Sequence, residues 1–210
     1  GHEKIVSYPT QCPSCGTTLV REEDEAAWRC PNVECKAQIL QRLIFHVSKD
    51  AMDIDGFGEK YILRFYELGW IKNMADLYQL DYDKIAALEG FGKKSADKLK
   101  AAIDKAKSNP IHRLLHSLSI HHVGQRASKL IAEKINHLLD LAGWSTEDYI
   151  AIKDIGPVVA QNAIKWFSQE ENIAMLREME ALGVNLTQTP QDKPKELISD
   201  GVFSGKTILF

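Results

Sequence analysis

Four times between residues 54 and 163 the chain returns to one arrangement of apolar residues around a glycine, and this repeat restricts its fold more than any other feature. Aligned on Gly58, Gly92, Gly124 and Gly156, the copies lie 34, 32 and 32 residues apart. Four positions before each glycine stand Ile54, Leu88, Ile120 and Ile152, and one position before stand Phe57, Phe91, Val123 and Ile155. Seven positions after it come Phe65, Leu99, Ile131 and Ala163. A period of this length marks a supersecondary unit repeated in tandem. Each copy reads as helix, tight turn, helix. In the second, Ile85 and Leu88 belong to a short first helix and "GFG" makes the turn. Ala96, Leu99 and Ile103 then mark the buried stripe of the following helix at spacings of 3 and 4. Phe91, in the middle of that turn, is expected to plug the core between helices rather than stack on a base.

The glycines raise a chemical question. The first amides of a helix have no internal partner, and the helix dipole leaves partial positive charge at that end. A turn without side chains lets a phosphate oxygen reach those donors. The alternative is a hairpin whose glycines only solve a packing problem. The copies are unequal. The first, "DGFGEK", offers Gly56, Gly58 and Lys60, and the second, "EGFGKK", offers Gly90, Gly92, Lys93 and Lys94. The third, "HHVGQR", has His122 in place of the first glycine but supplies Gly124, Gln125, Arg126 and, further on, Lys129. The fourth, "KDIGPV", puts Asp154 there and Pro157 at the helix start, which removes a donor. Copies two and three are expected to be the main anion contacts, copy one a further contact, and copy four mainly structural.

Net charge is −3, which on its face disfavours a nucleic-acid partner, but the average hides an asymmetry. Residues 84–134 carry 11 Lys/Arg against 4 Asp/Glu, while the remainder carries 15 against 25. A basic segment inside an acidic protein is an electrostatic footprint for an anion, although a solvated helix face has the same composition.

All four cysteines fall within the first 35 residues, as "CPSCG" (Cys12, Cys15) and "CPNVEC" (Cys30, Cys35). Four thiolates on two tight knuckles can close a tetrahedron around Zn²⁺ with no position left for substrate, so the expected site is structural. Between the knuckles, "TTLV" and "AAWRC" flank the acidic turn "EEDE" and read as a short hairpin. Two disulfides are the competing arrangement. They need an oxidising compartment, and the sequence shows no secretory leader. After the knuckles, Leu40, Leu43, Ile44 and Val47 form an amphipathic stripe that packs the metal module against the next part of the chain. His46 is expected to be partly buried or on the surface. His121 and His122 are expected to face solvent or phosphate, since no carboxylate or third ligand stands near them in sequence. Trp28 is expected against the zinc hairpin; Trp70, Trp144 and Trp166 are expected in core or linker packing.

The glycine turns resemble helix-hairpin-helix motifs, a family of sequence-independent binders of the DNA backbone. A four-cysteine knuckle pair followed by four such copies is similar to the C-terminal portion of bacterial NAD-dependent DNA ligases. "YPTQCPSCGTTL" looks like that family's entry into its zinc finger, and "LLHSLSIHHVGQRASKLIA" like its third hairpin region. The resemblance covers about residues 8–186 and implies a mainly α fold, with a small four-cysteine zinc finger bearing a short β-hairpin and then four tandem helix-hairpin-helix motifs. The opening Gly1-His2 reads as a tag scar, so residues 1–11 are expected to hold that scar and the end of a preceding domain, 12–48 the zinc finger and its following helix, and 49–186 the hairpin domain. Residues 187–202, polar and proline-bearing, are expected to form a linker, and 203–210 look like the truncated start of a BRCT domain.

The implied parent is a cytoplasmic, nucleoid-associated enzyme of replication and repair, using NAD and Mg²⁺ to seal nicks. The adenylated lysine, in a Lys-x-Asp-Gly motif, is absent from these 210 residues, so this chain is expected to bind nicked duplex DNA without ligating it. It is expected to be a monomer, with no membrane partner, working beside the other domains of the ligase. Two other functions fit the same motifs. One is a non-enzymatic DNA-binding module of a repair or recombination protein, and the other is a scaffold whose paired helices bind a protein.

Overall fold

A computed structural model describes residues 9–194 apart from Asp24. The expected tag scar and the BRCT start at 203–210 lie outside the described residues. Nine α-helices and three short 3-10 helices make up the described regular structure. α1 (Lys36–Val47) leaves the cysteine knuckles and packs on α2 (Glu59–Glu67). The pairs α3 (Tyr82–Ala86) with α4 (Lys93–Ala106), α5 (Ile111–Ser117) with α6 (Gln125–Ala132), and α7 (Thr146–Ile150) with α8 (Pro157–Phe167) come next. The last three pairs carry copies two to four of the repeat, whereas in copy one the turn at residues 54–57 and α2 follow α1 after a non-helical segment. 3-10 helices at Ala75–Tyr78 and Leu138–Gly143 join the first pair to the second and the third to the fourth. α9 (Glu170–Ala181) packs against both 3-10 helices and α8, bracing the two halves.

The repeat signal corresponds to one core. Ten of the twelve apolar positions that define it are buried, and the other two, Leu88 and Phe91 of the second copy, pack against the same cluster. That cluster is continuous from Leu40 to Leu186. Phe91 behaves as expected, its ring centroid 4.7 Å from that of Tyr61 and 5.9 Å from that of Phe65. Leu88 lies just past the end of α3, in the turn, rather than in the first helix. The tryptophans at 70, 144 and 166 also pack on the core. Trp28 is half-exposed, with the Arg21 guanidinium 5.6 Å from the ring.

The halves are clasped by polar contacts as well. Arg113 of α5 donates to the carbonyls of Ala51 and Lys49 at 2.7 Å each, and the Asn109 amide donates to Met52 O at 2.8 Å. Arg113 is one of the cations of the basic segment, and here its guanidinium is committed to backbone.

The zinc module keeps a separate, very small core of Cys12, Leu19 and Cys35. Its expected hairpin is reduced to single bridges, with Val20 and Arg29 exchanging both backbone hydrogen bonds at 2.8 and 2.9 Å.

Three buried polar groups depart from the sequence reading or were invisible to it. His46 is fully buried, not partly exposed: its Nε2 lies 2.7 Å from the Tyr78 hydroxyl, and burial drives its pKa down to about 3. Residues 187–192, expected to open a linker, are held to the fold. Gln188 N donates to Asn136 O, and the buried Asp192 carboxylate accepts from the amides of Ile111, His112 and Thr189, the Thr189 hydroxyl and the His112 ring. Pro110 is the N-cap of α5 and has no side-chain acceptor to give, so Asp192 caps that helix from 81 residues away. Finally, Ser117 Oγ closes onto Leu114 O at 2.6 Å inside the same core.

Candidate nucleic-acid interface and metal centre

The cysteine site assembles as the spacing predicts. Cys12 Sγ and Cys35 Sγ lie 3.8 Å apart, Cys15 Sγ and Cys30 Sγ 3.5 Å apart, and all four sulfurs fall within 4.8 Å of one another. Sulfurs 2.3 Å from a tetrahedral zinc are separated by about 3.8 Å, so the cage fits the ion. The four cysteines are free thiols. Their protonation is uneven. The hydroxyl and amide of Thr17 hold the Cys15 thiol down to about 6, whereas removal from water pushes Cys30 up to about 12. Cys35 is the N-cap of α1, and the Gln38 amide in the first turn holds its thiol below the ordinary value. Cys12, Cys15, Cys30 and Cys35 would hold a divalent cation as thiolates, and its charge would draw off any remaining thiol proton. Because Cys35 both closes the cage and starts α1, the metal module is coupled directly to the helical core.

The four turns of the repeat are built alike. In each, the residue before the aligned glycine donates its amide to the carbonyl three positions back: Phe57 to Ile54 at 3.2 Å, Phe91 to Leu88 at 3.0 Å, Val123 to Ile120 at 3.0 Å and Ile155 to Ile152 at 3.1 Å. The third residue of every turn is left-handed, with φ of 76° at Gly56, 82° at Gly90, 63° at His122 and 72° at Asp154. Glycine takes this conformation freely, and His and Asp are among the side chains that tolerate it. The first glycine of each copy is therefore a backbone requirement, and its replacements in copies three and four keep the geometry.

The second glycine is different. Gly58, Gly92, Gly124 and Gly156 are the N-caps of α2, α4, α6 and α8, all in extended backbone and all without a side-chain cap. A Cβ added at any of them meets nothing within 4 Å. Neither conformation nor packing among the described residues demands glycine there, and Ser, Asp or Asn would cap the helix better. What glycine uniquely leaves is space in front of unpaired amides.

The expected cations surround these openings. Lys60 is exposed in the first turn of α2, Lys93 and Lys94 begin α4, and Gln125, Arg126 and Lys129 lie on α6. Copies pair at their turns: Arg64 of α2 donates to Glu89 O in the second turn at 2.8 Å, and Arg126 of the third copy pairs with Asp154 of the fourth at 2.5 Å. The Arg126 side chain is 79% exposed, and a pair so exposed contributes at most about 1 kcal/mol, so a phosphate competes for the guanidinium easily. In copy four, Pro157 occupies the first helical position, so that mouth has one amide donor fewer, Val158 beside it is exposed, and no Lys or Arg lies in the first turn of α8.

One correction concerns His121 and His122. A carboxylate does stand beside them: Glu25, 96 residues before His121, lies 2.6 Å from its Nε2 and 3.0 Å from that of His122. Sequence spacing carries no sign of this contact, because it forms between the zinc module and the third copy.

Comparison with known proteins matches the same segments. Residues 11–37 match the model of the NAD-dependent DNA ligase C4 zinc finger domain. Residues 48–105 match a SAM-like helix-hairpin-helix tandem, and residues 113–176 a helix-hairpin-helix motif. The chain is 45% identical over 210 residues to a DNA ligase of Persephonella marina, covering all of this chain and 29% of that protein. It is 43% identical over 209 residues to the DNA ligase of Bacillus subtilis and 40% identical over 206 to that of Sulfurihydrogenibium azorense, covering 31% and 29% of those proteins. The chain thus spans about three-tenths of the length of the curated relatives it matches.

Proposed function

We propose, for a chain that belongs to the NAD-dependent DNA ligase family, that it is the part that grips nicked duplex DNA while the remainder of the enzyme performs the chemistry. The observation that carries this reading is the set of helix-capping glycines with open space before them, three of the four followed by exposed cations on the helix they open. Gly56, Gly58 and Lys60, then Gly90, Gly92, Lys93 and Lys94, then Gly124, Gln125, Arg126 and Lys129 are its contacts with the sugar-phosphate chain. Backbone amides meet every base sequence alike, so binding is sequence-tolerant and weakens steeply with salt. The four-cysteine cage holds a structural Zn²⁺ that fixes α1, and through it the hairpins, relative to neighbouring domains of the same protein. NAD and Mg²⁺ serve the adenylation and sealing steps elsewhere in the whole protein, which works as a monomer in the bacterial cytoplasm during replication and repair.

The test is anisotropy titration of nicked and intact duplexes over a salt series. Lys93→Ala with Lys94→Ala should weaken binding to all sequences and flatten the salt slope by about 1 for each phosphate no longer neutralised. An unchanged slope removes those lysines from the interface, and an association indifferent to salt removes the phosphate reading altogether.

A further inference from the structure

The acidic turn of the zinc module draws together metal-binding side chains that neither the cysteine cage nor the proposed phosphate contacts use. Glu22, Glu25, His121 and His122 each offer one donor atom, and these four atoms lie within 4.8 Å of one another. We propose that they form a second metal site, for a divalent transition cation of the Zn²⁺ class, which clips the zinc module to the third hairpin.

The donor set decides the chemistry. Two imidazole nitrogens and two carboxylate oxygens suit a borderline cation such as Zn²⁺, Co²⁺ or Ni²⁺ over the harder Mg²⁺ or Ca²⁺. They also distinguish this site from the all-sulfur cage. Both imidazoles converge on a single oxygen, Glu25 Oε1, at 2.6 and 3.0 Å, with ring centroids 4.0 Å apart. A cation among them satisfies both rings at once.

Glu25 is held for this task. Its other oxygen accepts from Arg29 Nε at 2.8 Å, and Arg29 is itself fixed by the reciprocal backbone pair with Val20. A ligand oriented by an outer partner is a recurring feature of metal sites. The Arg29 guanidinium keeps the Glu25 carboxyl below the usual carboxylate range, so that it is ionised for a metal. On the other side, His122 occupies the left-handed turn position that is glycine in copies one and two. The third copy thus has an imidazole where those have none, and it faces the same carboxylate as the ring of His121. Glu22 and His122 are exposed, Glu25 and His121 are half-buried, and Arg29 adds a nearby positive charge, so affinity is lower than at the cysteine cage.

With the cysteine cage loaded with one equivalent of Zn²⁺, the chain is titrated with Co²⁺, monitored by visible absorption, bound-metal analysis and thermal midpoint. The wild type should take up a second equivalent without thiolate-to-cobalt absorption and gain thermal stability. His122→Gly restores the residue found in copies one and two, so it keeps the turn while removing a ligand; it and His121→Gln should retain the zinc and lose the second equivalent. A wild type that stops at one metal, or variants that bind the second as tightly as the wild type, overturns the proposal.

Discussion

Placing aspartate at each helix-capping glycine separates what the fold prefers from what a phosphate needs. Gly58, Gly124 and Gly156 have φ, ψ of −81°, 175°, −80°, −173° and −96°, 172°, which is ordinary N-cap geometry, and Gly92 is more extended at −170°, 174°. An added side chain meets nothing within 4 Å, so it incurs no steric cost. Aspartate supplies a cap worth a few tenths of a kcal/mol over glycine, and its charge at the helix N-terminus adds about 0.3–1 kcal/mol. Loss of glycine's freedom in the unfolded chain contributes roughly 0.4–1 kcal/mol more. The sum is on the order of 1–2 kcal/mol, or about 2–8 °C in thermal midpoint for a chain of this size, with the smallest gain at Gly92. Binding should move the other way. A carboxylate about 4–6 Å from a phosphate costs roughly 1–3 kcal/mol at effective dielectrics between those of water and a protein surface, or about 5- to 150-fold in affinity. Gly156→Asp is the internal control: its mouth already has Asp154 and Pro157, so stability should rise with duplex affinity unchanged. Calorimetry and anisotropy on the four single variants decide the matter. If Gly58→Asp, Gly92→Asp and Gly124→Asp all stabilise the protein and none weakens binding, phosphate contact at these mouths is refuted.

The buried groups and the cage give further outcomes. Chelation of zinc, or Cys15→Ser, should unfold residues 11–37 and fray α1, because the module's own core is only Cys12, Leu19 and Cys35; far-UV dichroism with a zinc-release dye reads both changes. His46 has a folded pKa near 3, below the ordinary 6.5, so the unfolded chain takes up the proton first. Its contribution is therefore complete above about pH 6.5 and lost as pH falls towards 3, at most about 4–5 kcal/mol, and His46→Gln should flatten that part of a denaturation-versus-pH curve. Burial alone would raise the Asp192 carboxyl, but bonds from His112 and Thr189 hold it down to about 2. Asp192→Ala leaves the α5 amides unpaired and should cost about 2–4 kcal/mol in urea denaturation, whereas the same change at the exposed Asp97 should cost under about 0.5.

The repeat was legible because each copy must satisfy the same short-range demands: an apolar residue on either side of the turn, a left-handed third position and an open helix start. Those demands act within ten or so residues, which is the range over which sequence pattern speaks. The cysteine cage was legible for the same reason, since each knuckle is local. His46 was misjudged because its partner, Tyr78, lies on another element, and a lone histidine on an amphipathic helix does not announce a buried acceptor. The contacts of Asp192 with α5 and of Glu25 with His121 span 81 and 96 residues and leave no periodic trace. A polar, proline-bearing composition at 187–192 suggested a linker, yet one buried carboxylate is enough to moor it.

The left-handed slot at Gly56, Gly90, His122 and Asp154 gives this architecture an adjustable lip. Any residue content with that backbone can be installed there without disturbing the two helices it joins, so duplicated copies are free to drift into unlike trades. One lip stays bare, another gains an imidazole, and another turns acidic and reaches across to its neighbour's arginine. A lineage can thus retune a single turn among four while the scaffold beneath goes on unaltered.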